Sequence, residues 1–203
     1  MKSRAHAPRN GAGFSLIELL IVVAILMILT TMYWGGGKKS QHKKTREGCL
    51  QNLQKLYISL QIYGSENGGR FPEKPGAVSS EEPLDLLVPK YTVDTSLFIC
   101  PASKDQPLAS GESLRKGKIS YAYFMRRRIS DAQEPLLCDR LIDTLPKQPG
   151  QNGFSTNGKP PADNHGKDGG NFLFCDGGTQ ESPARIPIAL VSTNGVTLLN
   201  PKP

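Results

Sequence analysis

The alternation of apolar and polar positions divides the chain into three regimes. Residues 14–34 form an apolar run in which Glu18 is the single ionisable side chain. As a helix this run would be about 31 Å long at 1.5 Å per residue. That length matches the roughly 30 Å hydrocarbon core of a bilayer, so the pattern predicts a membrane span with a carboxylate near one end. An acid within a span costs roughly 2.5–3.5 kcal/mol at the centre and less near the interface, which suggests a role for it. Gly35-Gly36-Gly37 follows. Three glycines disfavour a helix by roughly 2.5–3 kcal/mol relative to alanines, so an interruption is expected there. Leu50, Leu53, Leu56 or Tyr57, Leu60 and Tyr63 then recur at three- to four-residue spacing, the mark of an amphipathic helix over residues 38–63. Gly64 and Asn67-Gly68-Gly69 are its stop signals.

Beyond residue 67 the period shortens. The pattern predicts a short helix at 84–88, an extended segment at 97–101, and strands at 120–125, 135–138 and 171–175. Asp176-Gly177 suits a tight hairpin turn, residues 147–170 read as a long loop, and the tail carries one short apolar run at 188–191. The 21 glycines and 16 prolines exceed the average share of about 12% and fit a loop-rich head. The expected organisation is a leader (1–13), a transmembrane helix (14–34), a linker with an amphipathic helix (35–66), and a β-containing head (67–203).

The N-terminal stretch has three readings. A secretory signal peptide would use Lys2, Arg4 and Arg9 as its basic region. Its apolar run is too long, however, and Met32-Tyr33-Trp34 offers no small-residue cleavage site. A plain anchor would let Glu18 snorkel. The third reading rests on the basic leader, Gly13, Phe14, and an acid four residues later at Glu18. This stretch resembles the N-terminus of type IV pilins and type II secretion pseudopilins. The resemblance implies cleavage by a prepilin peptidase between Gly13 and Phe14 and methylation of the new amine. It also implies pairing of Glu18 with the terminal amine of a neighbouring subunit, a contact that would set the stagger of packed helices. The implied fold is α+β and pilin-like: a long N-terminal membrane helix, interrupted near Gly35–Gly37, packed on a small antiparallel sheet.

Charge changes the picture only in its location. The net charge is +7. Eight bases (Lys2, Arg4, Arg9, Lys38, Lys39, Lys43, Lys44, Arg46) against Glu18 already account for it, so the remainder is neutral. A nucleic-acid-binding head should carry its own basic footprint; anionic lipid headgroups are the expected partner of the cluster. The flanking count, three bases before the run and five after it, places the head in the cytoplasm by the positive-inside rule. The pilin resemblance implies the reverse: a single-pass protein of the bacterial inner membrane with a cytoplasmic N-terminus and an extracytoplasmic head. Its partners would be prepilin peptidase and other pilin-like subunits.

In the head, Cys49 to Leu53, Tyr63, Asn67 to Pro72, Cys100-Pro101, His165 and Asp176-Gly177 occur in an order similar to pseudopilin-like proteins of planctomycete-type bacteria with a C-terminal His-x-Asp-Gly signature. Ten residues separate His165 from Asp176 here, against nine in that group. Some pseudopilins hold calcium in a C-terminal loop, and Asp139, His165 and Asp176 are the candidate ligands for a divalent metal. Asp143, Asp163 and Asp168 lie nearby in sequence; turn and hydrogen-bonding roles are the alternative for all of them. Four cysteines in an exported head favour disulfides. Cys138 and Cys175 end similar strands, which leaves Cys49 with Cys100; four buried thiols are the alternative. No pair has C-x-x-C spacing, which argues against a zinc ribbon. No G-x-S-x-G or H-E-x-x-H accompanies His165, so no enzyme is expected. A tethered binding module that does not form filaments is the competing class.

Overall fold

The computed structural model describes residues 14–35, 37–190 and 195–203, with side chains for 14–31, 42–190 and 195–203. The chain forms two compact units, Met1–Gln41 and His42–Pro203. In the first, α1 spans Leu16–Gly35. Its described large apolar side chains, from Leu16 to Leu29, are exposed. Among the described residues no helix is long and apolar enough to cross a membrane. Helix α2 spans Gly37–Glu66; Gly36, in the expected interruption, lies outside the described residues.

The second unit is α+β. Five antiparallel strands, β1 (Tyr121–Met125), β2 (Pro135–Asp139), β3 (Gly170–Phe174), β4 (Thr179–Ser182) and β5 (Thr197–Leu199), form one sheet in the order β4-β3-β2-β1-β5. Alternation along the strands sends side chains to two cores. Tyr121, Tyr123, Leu137 and Leu173 face Cys49, Leu53, Leu56 and Leu60 of α2. Ala122, Phe124, Cys138 and Phe172 face Leu141, Phe154, Ile186 and Leu190 from the long connections. The expected loop at 147–170 and the described part of the tail thus contribute to a second core on the sheet's other face. Burying both faces gives the central strands their nearly unbroken apolar character.

The helix that packs on the sheet is α2. Its buried stripe runs through Cys49, Leu53, Leu56 and Leu60, one position earlier at its start than Leu50. Gly64 does not stop α2. It lies within the helix, and a Cβ there would meet Ile129 Cδ1 at 2.9 Å, so its role is close packing. The helix ends after Glu66, where the Gly69 N–H reaches back to the Gly64 carbonyl at 2.8 Å, a closure of the Schellman kind. A short α3 (Glu81–Leu84) and a 3-10 turn (Asp85–Leu87) stand at the expected short helix. The 97–101 segment is extended only from Ile99, because Thr95–Phe98 form a 3-10 turn.

Candidate functional site

Four buried side chains from four different elements meet where α2 crosses the sheet. Cys49 enters on the buried stripe of α2. Cys100 follows the Thr95–Phe98 turn, and Asn52, one turn beyond Cys49, donates to the Ile99 carbonyl at 2.9 Å, holding that segment against the helix. Asp139 ends β2 opposite Tyr121, so its carboxylate points to the α2 face while Cys138 points away. His165 sits in the turn closed by the Gly166 N–H on the Asp163 carbonyl. One ligand-type atom of each residue lies within 4.8 Å of the others.

The individual contacts define the cluster. His165 Nε2 is 3.1 Å from Asp139 Oδ2 and 3.4 Å from Cys100 Sγ. Cys49 Sγ is 3.5 and 3.6 Å from the two Asp139 oxygens and 3.3 Å from the Tyr121 hydroxyl. Amides surround the carboxylate. Asn164 Nδ2 donates to Oδ1 at 2.9 Å, while the Asn171 backbone N–H and Nδ2 donate to Oδ2 at 2.8 and 3.1 Å. Asn171 Nδ2 also lies 3.1 Å from His165 Nε2. Arg46 fixes that amide by donating from Nε to Asn171 Oδ1 at 3.3 Å.

Burial and charge oppose each other in this cluster. Burial disfavours a charged imidazole, but the hydrogen bond and charge of Asp139, with Cys49, outweigh it and raise His165 to about 10. Burial likewise pushes Asp139 up, yet His165 and the amide donors hold its carboxyl below the usual range. Burial, then Cys100 and Asp139, push the Cys49 thiol well up. In its protonated form the site is thus an imidazolium–carboxylate pair beside a neutral Cys49 thiol.

The structure brings together two of the three expected ligands. Asp139 and His165 meet, but Asp176 serves the β3–β4 hairpin, where its Oδ1 accepts from the Gly178 N–H at 2.8 Å. Asp143 pairs with Lys147 at 2.8 Å, and Asp168 offers its carbonyl to Arg46. The expected disulfides are absent: all four cysteines are free and buried. Cys138 sits opposite Phe172 in the far core, whereas Cys175 lies one residue past β3 in the core facing α2; the sheet separates them. Cys49 and Cys100 do meet, but as two thiols within the four-residue cluster. Sequence reasoning missed them as ligands; the available signal was Cys49 in register with Leu53, Leu56 and Leu60.

At the other end of the chain, the expected processing residue Gly13 lies outside the described residues. Phe14 is exposed. Glu18 lies in the first turn of α1, where Oε2 accepts from the Ser15 backbone N–H at 2.9 Å. Arg46, grouped by sequence with the lipid-facing bases, belongs instead to the head. Its guanidinium donates to the carbonyls of Asp168, Gly170 and Ser182 at 2.9, 3.1 and 3.0 Å.

Residues 8–34 match the prokaryotic N-terminal methylation motif, as found in type IV pilins and pseudopilins. No curated protein and no solved structure matches the chain.

Proposed function

We propose that the chain is a structural subunit of a pilin-like filament, of the type II secretion or type IV pilus kind, anchored in the bacterial inner membrane with its head outside. The motif over residues 8–34 carries this reading. The exposed apolar surface of α1 supports it, since a contiguous apolar surface of that size calls for lipid or neighbouring helices. Prepilin peptidase cuts between Gly13 and Phe14, the new amine is methylated, and Glu18 pairs with the amine of an adjacent subunit. The head contributes surface to the filament and performs no catalytic step.

Intact mass of the detergent-extracted protein, from cells that contain the peptidase, tests the first step. The expected chain begins at methylated Phe14. A chain that retains residues 1–13 would sink the reading and leave a tethered head.

A further inference from the structure

We infer that Cys49, Cys100, Asp139 and His165 form a structural zinc site that ties α2 to the sheet. The geometry carries the inference. Zinc binds thiolate at about 2.3 Å and imidazole or carboxylate at about 2.0–2.2 Å, with tetrahedral angles. The edges of such a tetrahedron are about 3.3–3.8 Å. Three of the six contacts among the four donors, 3.1 Å for His165 to Asp139, 3.4 Å for His165 to Cys100 and 3.5 Å for Cys49 to Asp139, lie close to that range, and all six lie within 4.8 Å. Four side chains from four elements have converged on one point with their ligand atoms foremost.

The donor set selects the metal. Two sulfurs and an imidazole suit zinc and other thiophilic divalent ions. Calcium and magnesium, which take oxygen ligands, do not fit. Four protein ligands fill a tetrahedron and leave no position for water or substrate, the pattern of a structural rather than a hydrolytic zinc. Ligand orientation is provided for as well. Asn164 and Asn171 hold the carboxylate, the Tyr121 hydroxyl reaches Cys49 Sγ, and Arg46 fixes Asn171. Such outer contacts typically set ligand orientation and metal affinity. On binding, the two thiols release their protons and His165 offers an unprotonated Nε2. The local charge of two thiolates, one carboxylate and Zn²⁺ is then one net negative, faced by the amide and hydroxyl donors.

The reading is independent of filament assembly. Its test is the metal content of the full-length, detergent-solubilised protein, by mass spectrometry of the elements, with the intact mass taken without reduction. The expected result is one zinc per chain and four unoxidised cysteines. Replacing zinc with cobalt(II) in the wild-type protein should give the strong visible bands of tetrahedral cobalt and a thiolate-to-cobalt charge-transfer band. Cys100→Ser should lower zinc affinity at least tenfold, whereas Cys175→Ser, which alters a thiol outside the cluster, should keep the full equivalent. If Cys100→Ser fails to fold, the cobalt spectrum of the wild type still decides. Folded wild-type protein that takes up neither metal, that loses two hydrogens to a Cys49–Cys100 disulfide, or that binds cobalt without the thiolate band overturns the proposal.

Discussion

At the scale of single residues, Arg46 ties α2 to the sheet through several hydrogen bonds at once. One guanidinium serves three backbone carbonyls and the Asn171 amide, and its ion pair with Glu181 adds little because that carboxylate is half exposed. Arg46→Ala would remove the hydrogen bonds to the Asp168, Gly170 and Ser182 carbonyls. The expected cost is about 2–4 kcal/mol, read from the urea midpoint of the full-length protein in detergent. Arg46→Lys should recover only part of it, since an ammonium cannot reproduce the planar fork. An alanine variant within about 0.5 kcal/mol of wild type would mean these bonds are made at no net gain. The Asp143–Lys147 pair makes a pH prediction. Burial pushes Asp143 up, but the Lys147 ammonium and the Leu145 N–H outweigh it and hold its pKa below the usual carboxylate value. A carboxyl depressed in the folded state contributes stability above its unfolded pKa, and that contribution fades as pH falls through the folded one. The stability difference between wild type and Asp143→Asn should therefore be present at neutral pH and shrink below about pH 4. A difference that stays constant into acid would remove Asp143 from the account.

At the scale of elements, the β3–β4 hairpin shows how turn chemistry and packing combine. Gly177 adopts φ +86, and a Cβ there would meet Tyr57 Cε1 of α2 at 2.5 Å. Gly177→Ala should thus cost about 1–3 kcal/mol, from backbone strain and from lost docking of the hairpin. Tyr57→Ala in the same chain should return the steric part. The double-mutant cycle should show a coupling of about 1 kcal/mol, and strictly additive losses would place the whole effect in the backbone. This hairpin is legible in sequence because Asp176-Gly177 is a local signal. So are β1 to β3, whose apolar runs reflect burial on both faces, and the stripe of α2. The edge strands are not: β4 is a polar, half-exposed Thr-Gln-Glu-Ser and β5 has three residues, so each is a strand only because a neighbour offers it hydrogen bonds. The cluster is opaque for a related reason. Cys49, Cys100, Asp139 and His165 are each separated by 26 to 51 residues from the next, with no shared period. Their meeting depends on sheet register and on which face Asp139 takes, and a one-residue slip would reverse that face. Half of it, Asp139 and His165, could be suspected from residue type alone; the thiols read more naturally as disulfide partners until the sheet placed Cys138 and Cys175 on opposite sides.

At the scale of the whole molecule, the two units pose opposite physical problems. The head from His42 onward buries its apolar residues in two cores. The described part of α1 leaves its large apolar side chains exposed, with Glu18 among them. Lipid alone would cover the apolar groups, but it does nothing for an ionised carboxylate, whose cost within a membrane is roughly 2.5–3.5 kcal/mol at the centre by insertion scales. A cationic amine from another copy would offset that cost and would do so only at one axial stagger. Glu18→Gln separates the two roles. It keeps the size and removes the charge, so the protein should still be extracted with membranes and should still begin at methylated Phe14. On the proposed filament reading, its association with other subunits, measured by cross-linking in cells, should fall about tenfold or more, since losing about 1.4 kcal/mol per contact has that effect and a filament would repeat the contact. Equal cross-linking by Glu18→Gln and wild type would show that helix packing alone sets the assembly and that the carboxylate serves only the Ser15 N–H.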